Sequence, residues 1–128
     1  SLNKELLFIS TGTGVAPFRS IIYSLLESGF KGKITLLTGY RYEESLIYNS
    51  EFKNLELKYS NFKYNFILSK PKLYANKGRV QDLIRSHIPN KFEGGIYICG
   101  LNAMVSDVTE LLTKKGILKS QLHLERYD

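Results

Sequence analysis

A chain of 128 residues is long enough for one domain with a real core, and its 43% hydrophobic and 23% charged content is that of an ordinary water-exposed globular fold. One cysteine excludes an intramolecular disulfide and an all-cysteine metal site, and no apolar run approaches the roughly 20 residues of a membrane span. The balance of 18 Lys and Arg against 12 Asp and Glu leaves a net charge of +6, which reads either as a solvated lysine-rich surface or as attraction to an anionic ligand or an acidic partner. The basic residues are scattered and accompany no recognition motif, so no nucleic-acid partner is expected.

From the start, Ser1 to Glu5 lacks the charged-then-apolar layout of a secretory leader, and a cytoplasmic setting is the expectation. Leu6-Leu7-Phe8-Ile9 is a short apolar run, as expected of a strand buried on both faces. A glycine loop, Thr11-Gly12-Thr13-Gly14, follows at once. Phe18, Ile21, Ile22, Leu25 and Leu26 then recur at helical spacing, and Gly29 is placed to end that helix. Ile34–Thr38 is a second predicted strand. Tyr48, Phe52 and Leu55 mark a second helical face, and Tyr64–Leu68 a third strand.

A polar, basic loop runs from Ser69 to Lys77. Val80, Leu83, Ile84 and Ile88 form a third helical stripe. Ile96–Cys99 is the fourth strand. Met104, Val108, Leu111 and Leu112 give a fourth helix closed by Gly116, and Gln121–Tyr127 alternates as a last strand. Five strands separated by helices predict an α/β three-layer sandwich: a five-stranded parallel sheet covered on both faces, a Rossmann-like nucleotide-binding architecture. In such sheets the ligand sits beyond the carboxyl ends of the strands.

The residues with chemical potential fall at those ends. Gly12, Thr13, Gly14, Val15, Ala16 and Pro17 lie between strand one and helix one. Glycines permit a tight turn and close approach of the backbone, and Pro17 suits a first helical turn because its missing N–H costs nothing there. Free N–H groups and the helix dipole favour a phosphate at such a place. The same spacing also suits a plain strand-to-helix turn. A third glycine of the usual dinucleotide fingerprint is replaced by Pro17, and no Gly-Lys-Ser/Thr ending marks a nucleoside triphosphatase.

Four blocks in order then carry a resemblance. Gly12 to Ser20 resembles the Gly-Thr-Gly-Ile-Ala-Pro-Phe-Arg-Ser segment of plant-type ferredoxin–NADP reductases. Gly39-Tyr40-Arg41 with Glu43–Tyr48 is similar to the second block of that family. Tyr97-Ile98-Cys99-Gly100, with Met104 four residues on, is similar to its Cys-Gly block, and Leu124-Glu125-Arg126-Tyr127 resembles its Glu-x-Tyr tail.

The resemblance implies roles. Gly12–Pro17 would hold the pyrophosphate and nicotinamide side of NAD(P)H. Cys99 matches the cysteine near the hydride-transfer site, Glu125 the carboxylate near flavin and nicotinamide, and Tyr127 the aromatic that stacks on the flavin, although Asp128 follows where the tyrosine usually ends the chain. A buried small hydrophobe, a surface carboxylate and an ordinary strand tyrosine are the plainer roles of these three. Arg41, Gln81, Gly100 and Met104 join the implied cofactor-binding set. Ser69-Lys70 resembles the Ser-Arg pair that meets the 2′-phosphate in NADP-dependent members, with a point charge replacing a bidentate fork. Lys77 and Arg79 lie in the next block. No acidic residue occurs between Ser69 and Gln81 to receive a ribose 2′-hydroxyl, so NADP is expected rather than NAD.

The family places a flavin-binding barrel before this domain, with an Arg-x-Tyr-Ser-type motif that this chain lacks. The expectation is therefore one nucleotide-binding domain over residues 1–128, with FAD bound mainly by a flavin-binding domain outside the chain, and an acidic ferredoxin or flavodoxin as partner. The domain alone is expected to be inactive. An oxygenase or diflavin reductase, a non-catalytic NAD(P)H-binding module and a basic interaction domain are the alternatives.

Overall fold

The computed structural model describes residues 4–74 and 76–127. Among these residues five strands and four α-helices alternate: β1 (Leu6–Thr11), α1 (Val15–Glu27), β2 (Ile34–Tyr40), α2 (Asn49–Lys58), β3 (Phe62–Leu68), α3 (Val80–His87), β4 (Gly95–Gly100), α4 (Asn102–Lys114) and β5 (Leu122–Arg126). Every strand pairing is parallel, in the spatial order β3-β2-β1-β4-β5. Parallel neighbours need a long crossover, and the helices supply it. The α/β sandwich expected from the alternating periodicities is the fold observed.

The apolar alternation along the strands separates two cores. Leu7 and Ile9 of β1, with Ile96 and Ile98 of β4, face α3 and α4 and pack on Val80, Ile84, Val105, Val108 and Leu112. Phe8, Leu36, Phe62 and Cys99 face the other way, onto Val15, Phe18, Ile22 and Leu26 of α1 and Phe52 and Leu55 of α2. On that side an aromatic series runs outward: Phe8 stacks on Tyr97 at 5.2 Å, and Tyr97 on His123 at 4.5 Å. β5 is an open edge. Its His123, Leu124, Glu125 and Arg126 are all exposed.

Several boundaries differ from the sequence reading. β1 continues through Ser10 to Thr11, and β2 through Gly39 to Tyr40, because the ladder between them persists to the pair Thr11–Gly39. Ile21 was expected on the buried face of α1 but is 42% exposed. At about 100° per residue the buried arc is centred on Val15, Phe18, Ile22 and Leu26, and Ile21 points about a quarter-turn away from it. Tyr48 precedes α2 rather than lying within it, in the left-handed region at φ 59°. Tyr127 lies just beyond β5. Short 3-10 turns at Gly12–Gly14, Glu43–Ser45 and Lys119–Gln121 have no periodic signal and were not anticipated.

Candidate functional site

Strand order reverses direction between β1 and β4, since the chain moves outward one way from β1 through β2 and β3 and the other way through β4 and β5. A crevice opens beyond the carboxyl ends of strands at such a switch point. Here its walls are the turn after β1 and the turn after β4.

The first wall is Gly12–Gly14 and the start of α1. Gly12 has φ +55°, where a side chain is strained, and this turns the chain sharply off β1. Gly14 has ordinary φ but no room: a Cβ there would lie 2.5 Å from the Cys99 carbonyl oxygen and 3.3 Å from Cys99 Sγ. Thr13 is exposed at the turn, Val15 is buried beneath it, and Ala16 and Pro17 are exposed on the first turn of α1. Pro17 is the third residue of α1, within the first turn as expected. No side-chain cap occupies the start of α1, and no acidic residue stands in its first turn. The positive end of the helix is thus open to an anion.

The second wall is Cys99, Gly100 and the start of α4. Cys99 is 2% exposed. Burial pushes its thiol up from the ordinary value, and the negative charge of Glu125 adds to that. Cys99 and Glu125 are register partners across β4 and β5. A Cβ on Gly100 would meet Met104 Cε at 2.2 Å and Thr11 Oγ1 at 2.8 Å, so Gly100 is the place where Met104 folds back over the strand end. Tyr127 closes the outer side. Its N–H donates to the Gly100 carbonyl at 3.3 Å, and its hydroxyl donates to the Thr11 carbonyl at 2.9 Å, leaving the ring 43% exposed beside Gly12. Gly12–Pro17, Cys99, Gly100, Met104, Glu125 and Tyr127 therefore form one group.

A second group gathers beyond β2 and β3. Past the strand ends, the ladder continues: the Ser69 N–H donates to the Tyr40 carbonyl at 2.9 Å and the Lys70 N–H to the Arg41 carbonyl at 2.8 Å. This sets the exposed Arg41 and Lys70 side by side. Lys77 bridges back to Leu68, and the Gly78 N–H donates to the Leu68 carbonyl at 2.9 Å. Arg79 caps α3; its backbone N–H is taken by the Asp82 carboxylate at 2.9 Å, and its side chain is exposed. Gln81 is half-buried on the first turn of α3. Gly39 lies between the two groups: a Cβ there would come within 3.5 Å of Val80 and 3.6 Å of Thr11.

The sequence reading missed Glu43. Its carboxylate accepts the backbone N–H groups of Lys72 at 2.8 and 2.9 Å, Leu73 at 2.5 Å and Tyr74 at 3.2 Å, and these amides, Lys72 first and Leu73 next, pull it down to about 2. No local pattern could have shown this, because the partners are 29 to 31 residues apart. Also unforeseen is Arg19, which pairs with Glu51 and lies over the rings of Tyr23 and Tyr48 at 5.0 and 4.8 Å.

Two cavities, of about 260 and 570 Å³, flank the edge strand β3. Of the sequence-predicted residues only Lys77 lines either one, and neither includes the crevice between β1 and β4. Among the described residues no group of three His, Cys, Asp or Glu is placed to hold a metal, and no helix is long and apolar enough to cross a membrane.

Comparison with known proteins accords with this geometry. The model of the oxidoreductase NAD-binding domain family matches residues 8–110. Ferredoxin–NADP reductase B of Sorangium cellulosum is 34% identical over 135 aligned positions, which cover 95% of this chain and 54% of that protein. The ferredoxin–NAD(P)+ reductase component of the naphthalene 1,2-dioxygenase/salicylate 5-hydroxylase systems of a Ralstonia species is 31% identical, covering 95% of this chain and 38% of that protein. Among solved structures, the ferredoxin–NADP+ reductase of Plasmodium falciparum with 2′P-AMP superposes with a TM-score of 0.76 at 27% identity, covering 98% of this chain and 53% of the other. The chain spans about half, or less, of the length of these relatives.

Proposed function

Because this chain belongs to the oxidoreductase NAD-binding domain family, we propose that it binds NADP(H) and acts as the nucleotide-binding half of a ferredoxin–NADP reductase-type flavoenzyme. One observation carries the reading: the glycine turn after β1 packs backbone against backbone on Cys99 at the switch point, and the start of α1 beside it has no side-chain cap and no acidic residue in its first turn. Such a turn, at the uncapped positive end of a helix, suits a pyrophosphate.

In this reading the N–H groups of the Gly12–Gly14 turn and of the first turn of α1 bind the pyrophosphate. Cys99 presents a small, weakly polar wall that stays protonated, since burial and Glu125 both disfavour the thiolate. Met104 and Gly100 shape the floor. Glu125 and Tyr127 stand on the open side, where a flavin-binding domain outside these residues would close the site. Arg41, Ser69, Lys70, Lys77 and Arg79 bind the 2′-phosphate. NADPH, when bound, supplies a hydride for a flavin acceptor; the chain's own residues orient the nucleotide and exclude water. Alone the chain binds nucleotide without reducing an acceptor. In the complete enzyme a ferredoxin or flavodoxin exchanges electrons with the flavin, and the net charge of +6 suits an acidic carrier.

Likeness to an oxygenase reductase component supports a second reading, in which the same domain serves an oxygenase. Calorimetric titration of the chain with NADPH and NADH tests the shared core of both. Binding of NADPH supports it, and an absence of heat or protection with either nucleotide would leave a basic interaction domain instead.

A further inference from the structure

Two segments that are distant in sequence meet at the basic loop. Tyr42-Glu43-Glu44 follows β2, and Lys72-Leu73-Tyr74 forms the outer part of the loop between β3 and α3. Glu43 accepts all three backbone N–H groups of 72–74. Glu44 pairs with Lys72 Nζ at 3.5 Å, and the same ammonium lies 5.8 Å from the Tyr42 ring centre. The base of the loop is tied independently, by the Ser69 and Lys70 amides to the Tyr40 and Arg41 carbonyls and by Gly78 and Lys77 to Leu68. Glu43 holds the backbone of its tip, while Glu44 meets the Lys72 side chain and the Tyr74 ring packs edge-on against Phe66 at 5.4 Å.

We propose that Glu43 is a positioning residue for the phosphate end of the nucleotide: by gripping the amides of residues 72–74 it orders the outer loop that joins Lys70 to Lys77, and so strengthens the preference for a 2′-phosphorylated nucleotide. This rests on the NADP reading above. Two physical arguments lead to it. A loop ordered before binding loses less conformational freedom on binding, so an anchor that touches no ligand still raises affinity. A carboxylate beside a phosphate site would ordinarily oppose the phosphate and favour a ribose hydroxyl. Here its oxygens are aimed at backbone donors, so its charge is partly compensated and its acceptor capacity is used.

The effect should be specific to the phosphate. Lys70 and Lys77 would contact only that group, whereas the crevice between β1 and β4 is built from other segments. The test is titration of the 128-residue chain with NADPH, 2′P-AMP and NADH, for wild type, Glu43→Ala and Glu43→Asp. In Glu43→Ala, NADPH and 2′P-AMP should weaken about tenfold, the size of one lost charge-assisted contact, while NADH should change by less than about twofold. Glu43→Asp, with a shorter carboxylate, should recover part of the loss. Amide exchange at residues 72–74 should quicken in Glu43→Ala. A preference for NADPH that is undiminished in Glu43→Ala, or an equal loss for NADPH and NADH, or unchanged amide exchange, would overturn the proposal alone. Equal wild-type affinities for NADPH and NADH would overturn the NADP reading, and this inference with it, before any variant is made.

Discussion

The Gly14 α-carbon faces the backbone of Cys99 so closely that a Cβ would stand 2.5 Å from the Cys99 carbonyl oxygen. The contact joins the turn after β1 to the last residues of β4, which is the junction where the strand order reverses. It requires a glycine for lack of space and not for backbone angle, since Gly14 has an ordinary φ of −61°.

Gly14→Ala should therefore be destabilising by about 1–3 kcal/mol, the cost of forcing extra volume into a packed site, and should abolish most nucleotide binding. Pairing it with Cys99→Ala should not rescue it, because the nearest obstacle is a main-chain oxygen. Gly100→Ala should be milder, since its obstacles are the movable end of Met104 at 2.2 Å and the Thr11 hydroxyl at 2.8 Å. Thermal melts of the three variants check this. A Gly14→Ala chain as stable as wild type would show that the turn and β4 can part freely.

Cys99 should be a sluggish thiol. It is almost wholly buried, and its thiol is raised first by burial and second by the Glu125 charge. Since the thiolate is the nucleophile, alkylation at pH 8 should be at least about tenfold slower than for a free cysteine with an ordinary value near 8.5. Glu125→Gln removes the repelling charge, so the alkylation profile should shift to lower pH. A profile unmoved by Glu125→Gln would mean that the two side chains, though register partners, do not interact.

The two periods in the sequence were enough to reveal the sheet and its helices, because a strand buried on both faces and a one-sided helix leave different apolar patterns. Leu6–Ile9 reads directly as a strand buried on both faces and Ile96–Cys99 as a strand, and the two lie beside each other in the sheet. The glycine turn was equally legible, since Gly12 and Gly14 have no side chain to hide their purpose. What stayed hidden is what depends on distant partners. Tyr127 reaches the Thr11 carbonyl across 116 positions, and Glu43 reaches Lys72 across 29. Ile21 misled for a related reason: an apolar residue beside a helical stripe is not distinguishable from one inside it until the neighbours are in place.

The grip of Glu43 on residues 72–74 should depend on acid. Its carboxyl lies near 2 instead of the ordinary 4.5 because the amides of Lys72, Leu73 and Tyr74 bind the charged form. A carboxyl held below its unfolded value stabilises the fold fully above that unfolded value. Its contribution fades as pH falls from about 4.5 and is gone once pH drops through about 2. Amide chemical shifts of residues 72–74, followed from pH 6 downward, should hold steady through the usual carboxyl range and move only near the lower limit. A midpoint near 4.5 would mean that the amides do not favour the charged carboxylate, and the loop tip would then be held by something else.

The preference for NADPH over NADH should lie in Arg79 and Lys70, and salt should wear it down. The 2′-phosphate is an added, largely dianionic group, and one charge-assisted hydrogen bond to it contributes roughly 1.5–3 kcal/mol. At about 1.4 kcal/mol per decade, a single such contact gives a tenfold to hundredfold preference. Arg79 is suited to supply one, because Asp82 holds its backbone N–H at the start of α3 while the guanidinium remains exposed. Arg79→Ala should cost NADPH roughly tenfold or more and leave NADH nearly unchanged. Arg79→Lys should fall between the two, since a point charge keeps the attraction but loses the planar fork. Because Arg41, Lys70 and Arg79 are all exposed, raising ionic strength from about 0.1 M to about 1 M shortens the screening length from roughly 10 to 3 Å and should erase most of the difference between the nucleotides. Calorimetry at both ionic strengths separates this from a shape effect. A preference that persists at high salt would have to come from close, buried contacts that Arg79 and Lys70 do not make in this structure, and the specificity would then belong to another part of the site.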